Sequence, residues 1–305
     1  MSNKPLNIKQ FLKRFPNDDV CLEHLMRVRF GVLISCRCNR DAKYYRVSGR
    51  RCFECEFCGY QVYPTAGTPF EATRTSLRDW FYVMFKFCAS RNGVAAKEIE
   101  RELGVTYKTA WRMCKHIREH MRLVDGDFPI GGDNGDSGVV EVDHTFIGGK
   151  DRAGHDDKKI VLGMAERDGD VVTRVVPDRS ADKSVPHILD MVKSGSRVAT
   201  DEDGAFRDLR GEGYWHATVN HSLNEYVRGD VHTNTIEAFW ANVKRGIKGT
   251  YIHVSEKHLP SYLGEFEFRH NLRRVPHLML EALLRAFPHQ HQPLPAKGDQ
   301  TALSP

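Results

Sequence analysis

Three acidic side chains lie far apart in the chain, yet each one lies within or next to a predicted secondary-structure element. Asp143 lies in the alternating run GVVEVDHTFIGG, Asp201 directly follows the apolar run SRVAT, and Glu237 lies in HTNTIEAFWANVKRGIKG. Mg²⁺ binds a few carboxylates and keeps water and phosphate oxygens as its remaining ligands. Two such ions about 4 Å apart activate the attacking oxygen and stabilise the leaving oxygen in phosphodiester chemistry. These acids suit that chemistry if the fold brings them together.

The elements predicted around these acids follow one order along the chain. Asp143 lies in a strand, and the next segment, 158–177, contains two β-rich runs around Asp168-Gly169, which is a hairpin signal. A helix over ADKSVPHILDMVKSG, the strand before Asp201 and the helix with Glu237 complete the series. Strand, hairpin, helix, strand and helix is the order of a ribonuclease-H-like domain. We therefore predict an α/β fold with a mixed-sheet catalytic domain of this kind.

Five cysteines within residues 36–58 predict a metal site. Cys55 and Cys58 are two residues apart and precede a glycine, which is the spacing of a zinc knuckle. A zinc ribbon needs a second pair about fifteen to twenty residues away, and Cys36 and Cys38 lie at about that distance. Only one residue separates that pair, so Cys52 is an alternative ligand. We predict one structural Zn²⁺ on Cys36, Cys38, Cys55 and Cys58, against the alternative of free cysteines in a small β-rich segment.

The segment AAKEIERELGVTYKTAWRMCKHIREH predicts two helices that are broken at Gly104, with Thr106 as the N-cap of the second. A glycine turn followed by a basic helix is typical of a helix-turn-helix, whose second helix enters the major groove of DNA. Trp111 is expected to pack inward. A helical hairpin with a basic surface is the alternative. The predicted DNA contacts on the second helix are Tyr107, Lys108, Arg112, Lys115 and Arg118.

Charge is unevenly divided along the chain. Residues 1–125 carry 23 basic and 13 acidic side chains, whereas residues 126–305 carry 22 basic and 27 acidic ones. A basic first part suits a polyanionic partner, and an acidic second part suits divalent cations held beside it. No apolar run approaches the roughly 20 residues of a membrane span, and MSNKPLNIKQFLKRF shows neither the apolar core nor the small-residue cleavage site that are typical of a signal peptide. We expect a cytoplasmic protein with reduced cysteines and no membrane partner.

Six segments follow from composition and pattern. The order is a helical segment, a zinc ribbon, a helix-turn-helix region, a Gly- and Asp-rich linker, a catalytic domain and a disordered tail. Their predicted bounds are 1–31, 32–75, 76–123, 124–138, 139–287 and 288–305.

Several short motifs together carry a family resemblance. Thirty-five residues separate Asp201 from Glu237, and Lys244 follows Glu237 by seven, which is two helical turns. The same chain contains CEFCGYQ, TAGT, LGV and KTAWRM, and later TNTIEAFWANVKRGIKGTY and EFEFRHN. Over about residues 20–275 this combination resembles the bacterial zinc-ribbon DDE insertion-sequence transposases. Asp143 is followed by His144 where that group commonly has an acid, and His144 is not expected to be a ligand.

The resemblance implies a Mg²⁺-dependent polynucleotidyl transferase that binds the terminal inverted repeats of its element and joins the exposed ends to target DNA. It implies that Asp143, Asp201 and Glu237 hold two Mg²⁺ ions, for which Mn²⁺ can substitute, and that Lys244 contacts DNA near the reacting end. Lys248 is a further expected DNA contact. The expected partner is double-stranded DNA, at both the element ends and the target. Assembly on DNA as a homo-oligomer, associated with the nucleoid, is also implied.

Asn234 is an alternative third ligand because it precedes Glu237 by one helical turn. We favour Glu237, since an anionic oxygen stabilises two divalent cations better than an amide oxygen does. Two other functions fit parts of the pattern. A sequence-specific regulator or catalytically retired transposase needs only the DNA-binding segments, and a structure-specific nuclease of the same fold cleaves without joining.

Overall fold

The computed structural model of the 305-residue chain describes residues 4–32, 34–126, 128–132, 138–149, 158–219 and 231–287. The predicted tail 288–305 and part of the predicted linker, 127 and 133–137, lie outside the described residues. The chain forms two compact units. One consists of Met1–Ala89 with His277–Pro305, and the other of Ser90–Pro276. These divisions fall inside two predicted segments, 76–123 and 139–287. Within the described ranges, no helix combines the length and the apolar character that crossing a bilayer requires.

The first unit begins with two capped helices. Asn7 caps α1 (Ile8–Arg14) by accepting a hydrogen bond from Gln10, and Asn17 caps α2 (Asp18–Phe30) in the same way. Five short strands follow in two small antiparallel sheets, and helix α3 (Leu77–Ala89) ends this part of the unit. The strands are β1 (Ile34–Ser35), β2 (Asp41–Ala42), β3 (Tyr44–Arg46), β4 (Phe53–Cys55) and β5 (Gln61–Val62).

The second unit opens with α4 (Ala96–Leu103) and α5 (Tyr107–Asp125). Gly104 ends α4 with φ +64°, a left-handed conformation that glycine adopts without a steric penalty. The Thr106 hydroxyl accepts a hydrogen bond from the Thr109 amide and caps α5. The predicted break at Gly104 and the predicted cap at Thr106 are therefore confirmed, while the helix-turn-helix itself stays a prediction.

A five-stranded mixed sheet forms the centre of the second unit. Its strands are β6 (Val140–Ile147), β7 (Lys159–Glu166), β8 (Val171–Val176), β9 (Arg197–Thr200) and β10 (Trp215–Thr218). The order is β10-β9-β6-β7-β8, with β6, β7 and β8 antiparallel and with β9 parallel to both β6 and β10. The predicted hairpin is confirmed, with Asp168 in its turn at φ +59°. This mixed sheet is consistent with a ribonuclease-H-like domain.

Helices cover both faces of this sheet. Helix α6 (Ala181–Met191) packs on the face that carries Val140, Val142 and Leu162. Helices α7 (Asn234–Gly246) and α8 (Leu259–Asn271) pack on the opposite face, where Val161 and Ala165 lie. A π-helical turn, Ile247–Tyr251, follows α7 directly. Because side chains alternate along a strand, Glu141 and Asp143 of β6 point to the face that α7 covers.

Helix α5 packs against α8 at Gly264, where a Cβ would lie only 2.5 Å from Cγ of Arg122. Helices α4 and α5 thus belong to the same compact unit as the sheet. The last helix, α9 (Met279–Arg285), belongs to the first unit instead. There its Glu281 pairs with Arg14, and the neighbouring Phe287 ring lies 5.1 Å from that of Phe70.

Candidate active site

Two of the three predicted acids are brought together by adjacent parallel strands of the mixed sheet, with Asp143 inside β6 and Asp201 directly after β9. The pairing of β6 with β9 aligns Val142 with Thr200. The residues that follow these two are Asp143, in β6, and Asp201, just after β9. Neighbouring strands lie about 4.8 Å apart. The register of one strand pair therefore brings two carboxylates from segments 58 positions apart to neighbouring positions, where β9 ends beside the middle of β6.

The third acid is placed by the close packing of α7 on β7. Gly163 of β7 is the direct partner of Asp143, and a Cβ at Gly163 would lie 2.3 Å from the Trp240 ring. Only a glycine therefore lets α7 approach the sheet at this level. Glu237 precedes Trp240 by three residues and so lies about one turn away on the same helix.

Helix α7 separates its apolar and polar residues cleanly. Its inner face is buried, at Ile236, Phe239, Trp240, Val243 and Gly246. Its outer face is exposed and carries the predicted functional residues, at Asn234, Glu237, Lys244 and, in the turn that follows, Lys248. Positions three and four apart lie on one side of a helix. The outer face therefore runs from an amide and an acid at its start to basic groups at its end.

Asp143 is electrostatically coupled to the other two acids. Burial, together with the negative charges of Asp201 and Glu237, raises its pKa to about 7. A carboxyl group with such a pKa lacks a compensating positive charge. A divalent cation would supply that charge, so the set of acids has the chemistry of a cation site.

The three carboxylates are not gathered around a single point. Within the described part of the chain, the four predicted zinc cysteines form the one group of three or more candidate ligand atoms that all lie within 4.8 Å of one another. A pair of ions about 4 Å apart needs a more widely spaced set of ligands than one ion does.

The loop after β9 is held by hydrogen bonds of its own acids. The Asp201 carboxylate accepts a hydrogen bond from the Asp203 amide at 3.0 Å, and the Asp203 carboxylate accepts one from the Ala205 amide at 3.1 Å. His144 contributes from the other side, because its Nδ1 lies 3.4 Å from the Asp203 carboxylate.

His144 faces away from α7. Its Nε2 lies 2.9 Å from the Ser184 hydroxyl of α6, and its ring stacks on Phe206 at 5.0 Å. Burial lowers the pKa of His144, which favours the neutral imidazole. The residue therefore links β6 to α6 and to the loop after β9.

Glu141, a fully buried acid two residues before Asp143, is not among the site residues predicted from the sequence. Its carboxylate contacts the first turn of α7, where it accepts hydrogen bonds from the backbone amides of Thr235 and Ile236. The available signal was the occurrence of an acid at an interior position of a central β-strand, which requires buried partners.

The four predicted zinc ligands meet in the first unit. The sulfur atoms of Cys36 and Cys58 lie 3.5 Å apart, close to the roughly 3.8 Å between sulfurs in a tetrahedron of about 2.3 Å bonds. Partial burial opposes ionisation, yet hydrogen bonds from Tyr44 and neighbouring cysteines lower the pKa of Cys36 to about 6. The alternative ligand Cys52 is buried outside the group. The cluster is compatible with a structural Zn²⁺.

The predicted DNA contacts of α5 divide into two sets. Tyr107, Lys108 and Arg112 are exposed, and Lys115 is half-buried beside Glu119. Arg118 is buried, so its assignment to a DNA-binding surface is corrected.

The surroundings of Arg118 explain its burial. Its Nε donates to Glu265 at 2.8 Å, and its guanidinium lies 4.7 and 4.1 Å from the rings of Tyr251 and Tyr262. The expectation that Trp111 packs inward is also wrong, because its side chain is 37% exposed and lies beside His258.

The chain is similar to known proteins of mobile DNA elements. Residues 137–271 match the family of ISXO2-like transposase domains, a range that includes all three acids and Lys244. A relative in Halobacterium salinarum is 28% identical over 276 residues, which cover 82% of this chain and 89% of the relative. That relative is described as an uncharacterized protein in transposable element ISH50.

Proposed function

From the premise that the chain belongs to an insertion-sequence transposase family, we propose that it binds the inverted repeats of its element, cleaves DNA there and joins the ends to a target. The observation that supports the proposal is the register of β6 with β9, which makes Asp143 and Asp201 neighbours, together with the electrostatic coupling of Asp143 to both Asp201 and Glu237. Acids on a core strand, after its neighbour and on an overlying helix form a site that a purely DNA-binding protein does not need.

Asp143, Asp201 and Glu237 would hold Mg²⁺, or Mn²⁺ in its place. When bound, a pair of these ions activates the attacking hydroxyl and stabilises the leaving oxygen of a phosphodiester. The protein's own contribution is to keep the carboxylates at fixed separations on rigid elements. Burial of Asp143 keeps it partly protonated until a cation binds, which makes cation binding dependent on pH.

Glu237 is the proposed third ligand, with Asn234 as the alternative. Both side chains are exposed on the outer face of α7. The coupling of Glu237 to Asp143 supports the assignment of the ligand role to Glu237, although its Oε1 also accepts a hydrogen bond from the Thr233 hydroxyl at 2.7 Å. Glu237→Ala should abolish the reaction, whereas Asn234→Ala should retain a reduced rate. The reverse result would assign the role to Asn234.

The proposed DNA contacts come from α5 and from the end of α7. Lys244 and Lys248 are exposed and follow Glu237 along one helical face, so phosphates bound there lie next to the acids. Tyr107, Lys108, Arg112 and, in part, Lys115 are the contacts proposed on the second helix of a helix-turn-helix. The zinc ribbon is proposed to hold one structural ion, and the protein is proposed to act on paired ends as a homo-oligomer.

The test is strand transfer in Mg²⁺ on DNA that carries the short inverted repeats flanking the gene. Wild type should form joined products and Asp201→Ala none, while both bind the DNA equally. Asp208→Ala is the matched control, because Asp208 is an exposed acid that follows the same strand without belonging to the triad.

Two results would refute the proposed activity. Equal DNA binding without joining by either protein would indicate a regulator or a retired transposase. Cleavage without joining, and without dependence on end sequence, would indicate a nuclease.

A further inference from the structure

Glu141 is an acid whose environment needs an explanation. It lies in the central strand β6 with no solvent exposure, two residues before Asp143 and on the same face of the sheet. A carboxylate in the interior is strongly unfavourable unless hydrogen bonds or charges compensate it. The identity of its partners therefore indicates what the residue does.

The Glu141 carboxylate accepts hydrogen bonds from the start of α7. Its Oε2 lies 2.7 Å from the Thr235 amide and 3.0 Å from the Ile236 amide, while its Oε1 lies 3.0 Å from the Thr235 hydroxyl. The first amides of a helix have no partner within the helix and need an outside acceptor. A negative charge there also interacts favourably with the helix dipole. Glu141 thus caps α7 from the sheet.

The residue at the usual capping position does not perform this task. Thr233 is the N-cap of α7, but its side chain makes no capping hydrogen bond. Its hydroxyl donates to Glu237 instead, at 2.7 Å. The capping function and the contact with the proposed third ligand are therefore divided between Glu141 and Thr233.

Arg167 and His232 complete the clamp. The Arg167 Nε donates to Glu141 at 2.7 Å, and its Nη2 donates to the His232 carbonyl at 2.9 Å. The His232 Nδ1 lies 3.1 Å from the Glu141 carboxylate. Arg167 is itself tied to the sheet, because its backbone amide donates to the Val139 carbonyl at 2.9 Å. The chain before α7 and the first turn of α7 are both fastened to β6.

We propose that Glu141 is a positioning residue that sets the location of Glu237 relative to Asp143. The inference rests on the proposed function, because it assigns the clamp to the carboxylates of that site. Two residues of a strand span about 6.8 Å and three residues of a helix rise about 4.5 Å. The first turn of α7 is hydrogen-bonded to Glu141. Further along, the side chains of Ile236 and Trp240 pack against Gly163, which is the strand partner of Asp143. One strand thus carries the first ligand and also the anchor of the helix that carries the third.

The test is Glu141→Gln in the full-length protein. Glutamine has nearly the same size as glutamate. Its NH₂ group would lie against another donor, either the α7 backbone amides or Arg167, and so could not accept the hydrogen bond that the carboxylate accepts there. Mn²⁺ binding without DNA, followed by electron paramagnetic resonance, should weaken at least about tenfold, because a small displacement of one ligand opens the site. The Mg²⁺ concentration for half-maximal cleavage should rise in parallel.

Glu267→Gln is the matched control. Glu267 is another buried acid of the same unit, and it accepts a hydrogen bond from Thr173 on the neighbouring strand β8. Its replacement should lower the melting temperature and leave Mn²⁺ affinity unchanged. If Glu141→Gln fails to fold, Thr235→Val decides, since it removes only the hydroxyl contact and should weaken Mn²⁺ binding about two- to fivefold.

The outcomes separate this inference from the proposed function. If the wild-type protein binds Mn²⁺ through Asp201 and Glu141→Gln binds it with unchanged affinity, the positioning role alone is overturned. Thr235→Val takes the place of Glu141→Gln in this comparison if that variant fails to fold. Wild-type protein that binds no Mn²⁺ overturns the proposed function and this inference with it. Weaker binding in the Glu141 or Thr235 variant but not in Glu267→Gln supports the positioning role.

Discussion

Replacing Gly163 with alanine should push α7 away from the sheet. The new Cβ would lie 2.3 Å from Cζ2 of Trp240 and 2.8 Å from Cδ1 of Ile236, where ordinary contacts begin at 3.4 Å. The Trp240 ring would have to retreat by about 1 Å, the difference between the two distances, to restore van der Waals contact. That ring is 3% exposed and packs against Phe239, so the displacement has to pass into the helix.

The expected magnitude follows from two opposing effects. Gly→Ala at a position with ordinary backbone angles stabilises a protein by about 0.4–1 kcal/mol through the unfolded chain. Overpacking a closed core costs about 1–3 kcal/mol, which is larger, so the free energy of unfolding should decrease. A net loss of about 1–2 kcal/mol lowers the melting temperature by roughly 2–8 °C in a unit of this size. A shift of about 1 Å in Glu237 should slow the reaction about 100-fold.

Two assays measure these effects separately. Thermal unfolding followed by circular dichroism reports the packing, and single-turnover cleavage of element-end DNA in Mg²⁺ reports the placement of Glu237. Gly149→Ala is the control, because no atom lies within 4 Å of a Cβ at that position just after β6. A Gly163→Ala protein with wild-type melting temperature and rate would refute the close packing. A lower melting temperature with a wild-type rate would refute the link from packing to Glu237.

Four other predictions concern pH, zinc and two arginines of α5. The pKa of Asp143 is raised from 3.8 to about 7, so its stabilising protonation is complete below about pH 4 and is lost as the pH rises through 7. In EDTA the melting temperature of the wild type should therefore fall between these two pH values. Asp143→Asn should remove this part of the pH dependence. A chelator should release one zinc ion per chain, as measured by a colorimetric zinc assay. In the same assay Cys58→Ser should contain no zinc, whereas Cys52→Ser should retain it. Arg118→Ala should cost about 1.5–3 kcal/mol of stability in denaturant titrations, because it removes one of the two arginines that pair with the buried Glu265 and leaves only Arg269 and the Tyr251 hydroxyl as its partners. Arg112→Ala should keep wild-type stability but weaken DNA binding and reduce its salt dependence by about one counterion.

Local features of the chain were predictable because their causes lie within a few residues. The hairpin at Asp168-Gly169, the break at Gly104 and the cap at Thr106 depend on backbone preferences and short-range hydrogen bonds. The spacing of the cysteines predicted the zinc ligands but left Cys52 as an alternative. The positions of the sulfur atoms place Cys38 in the group and Cys52 outside it.

Other features depended on partners that no local pattern indicates. Strand β10 has four residues and no clear alternation of burial, and it forms by pairing with β9. Arg118 looked like its basic neighbours in α5, but its partner Glu265 is 147 residues away. Helix α9 lies inside the predicted catalytic segment 139–287, yet it packs with the first unit.

The sequence by itself determined which side chains are available for chemistry: the acids at strand ends, the cysteine pairs and the basic helix faces. The tertiary structure decided their geometry, because the register of β6 with β9, the glycine under Trp240 and the Glu141 clamp are contacts between distant segments. Alternation and helical spacing assign a residue to a face. The distance between two faces depends on packing, which the whole fold determines at once.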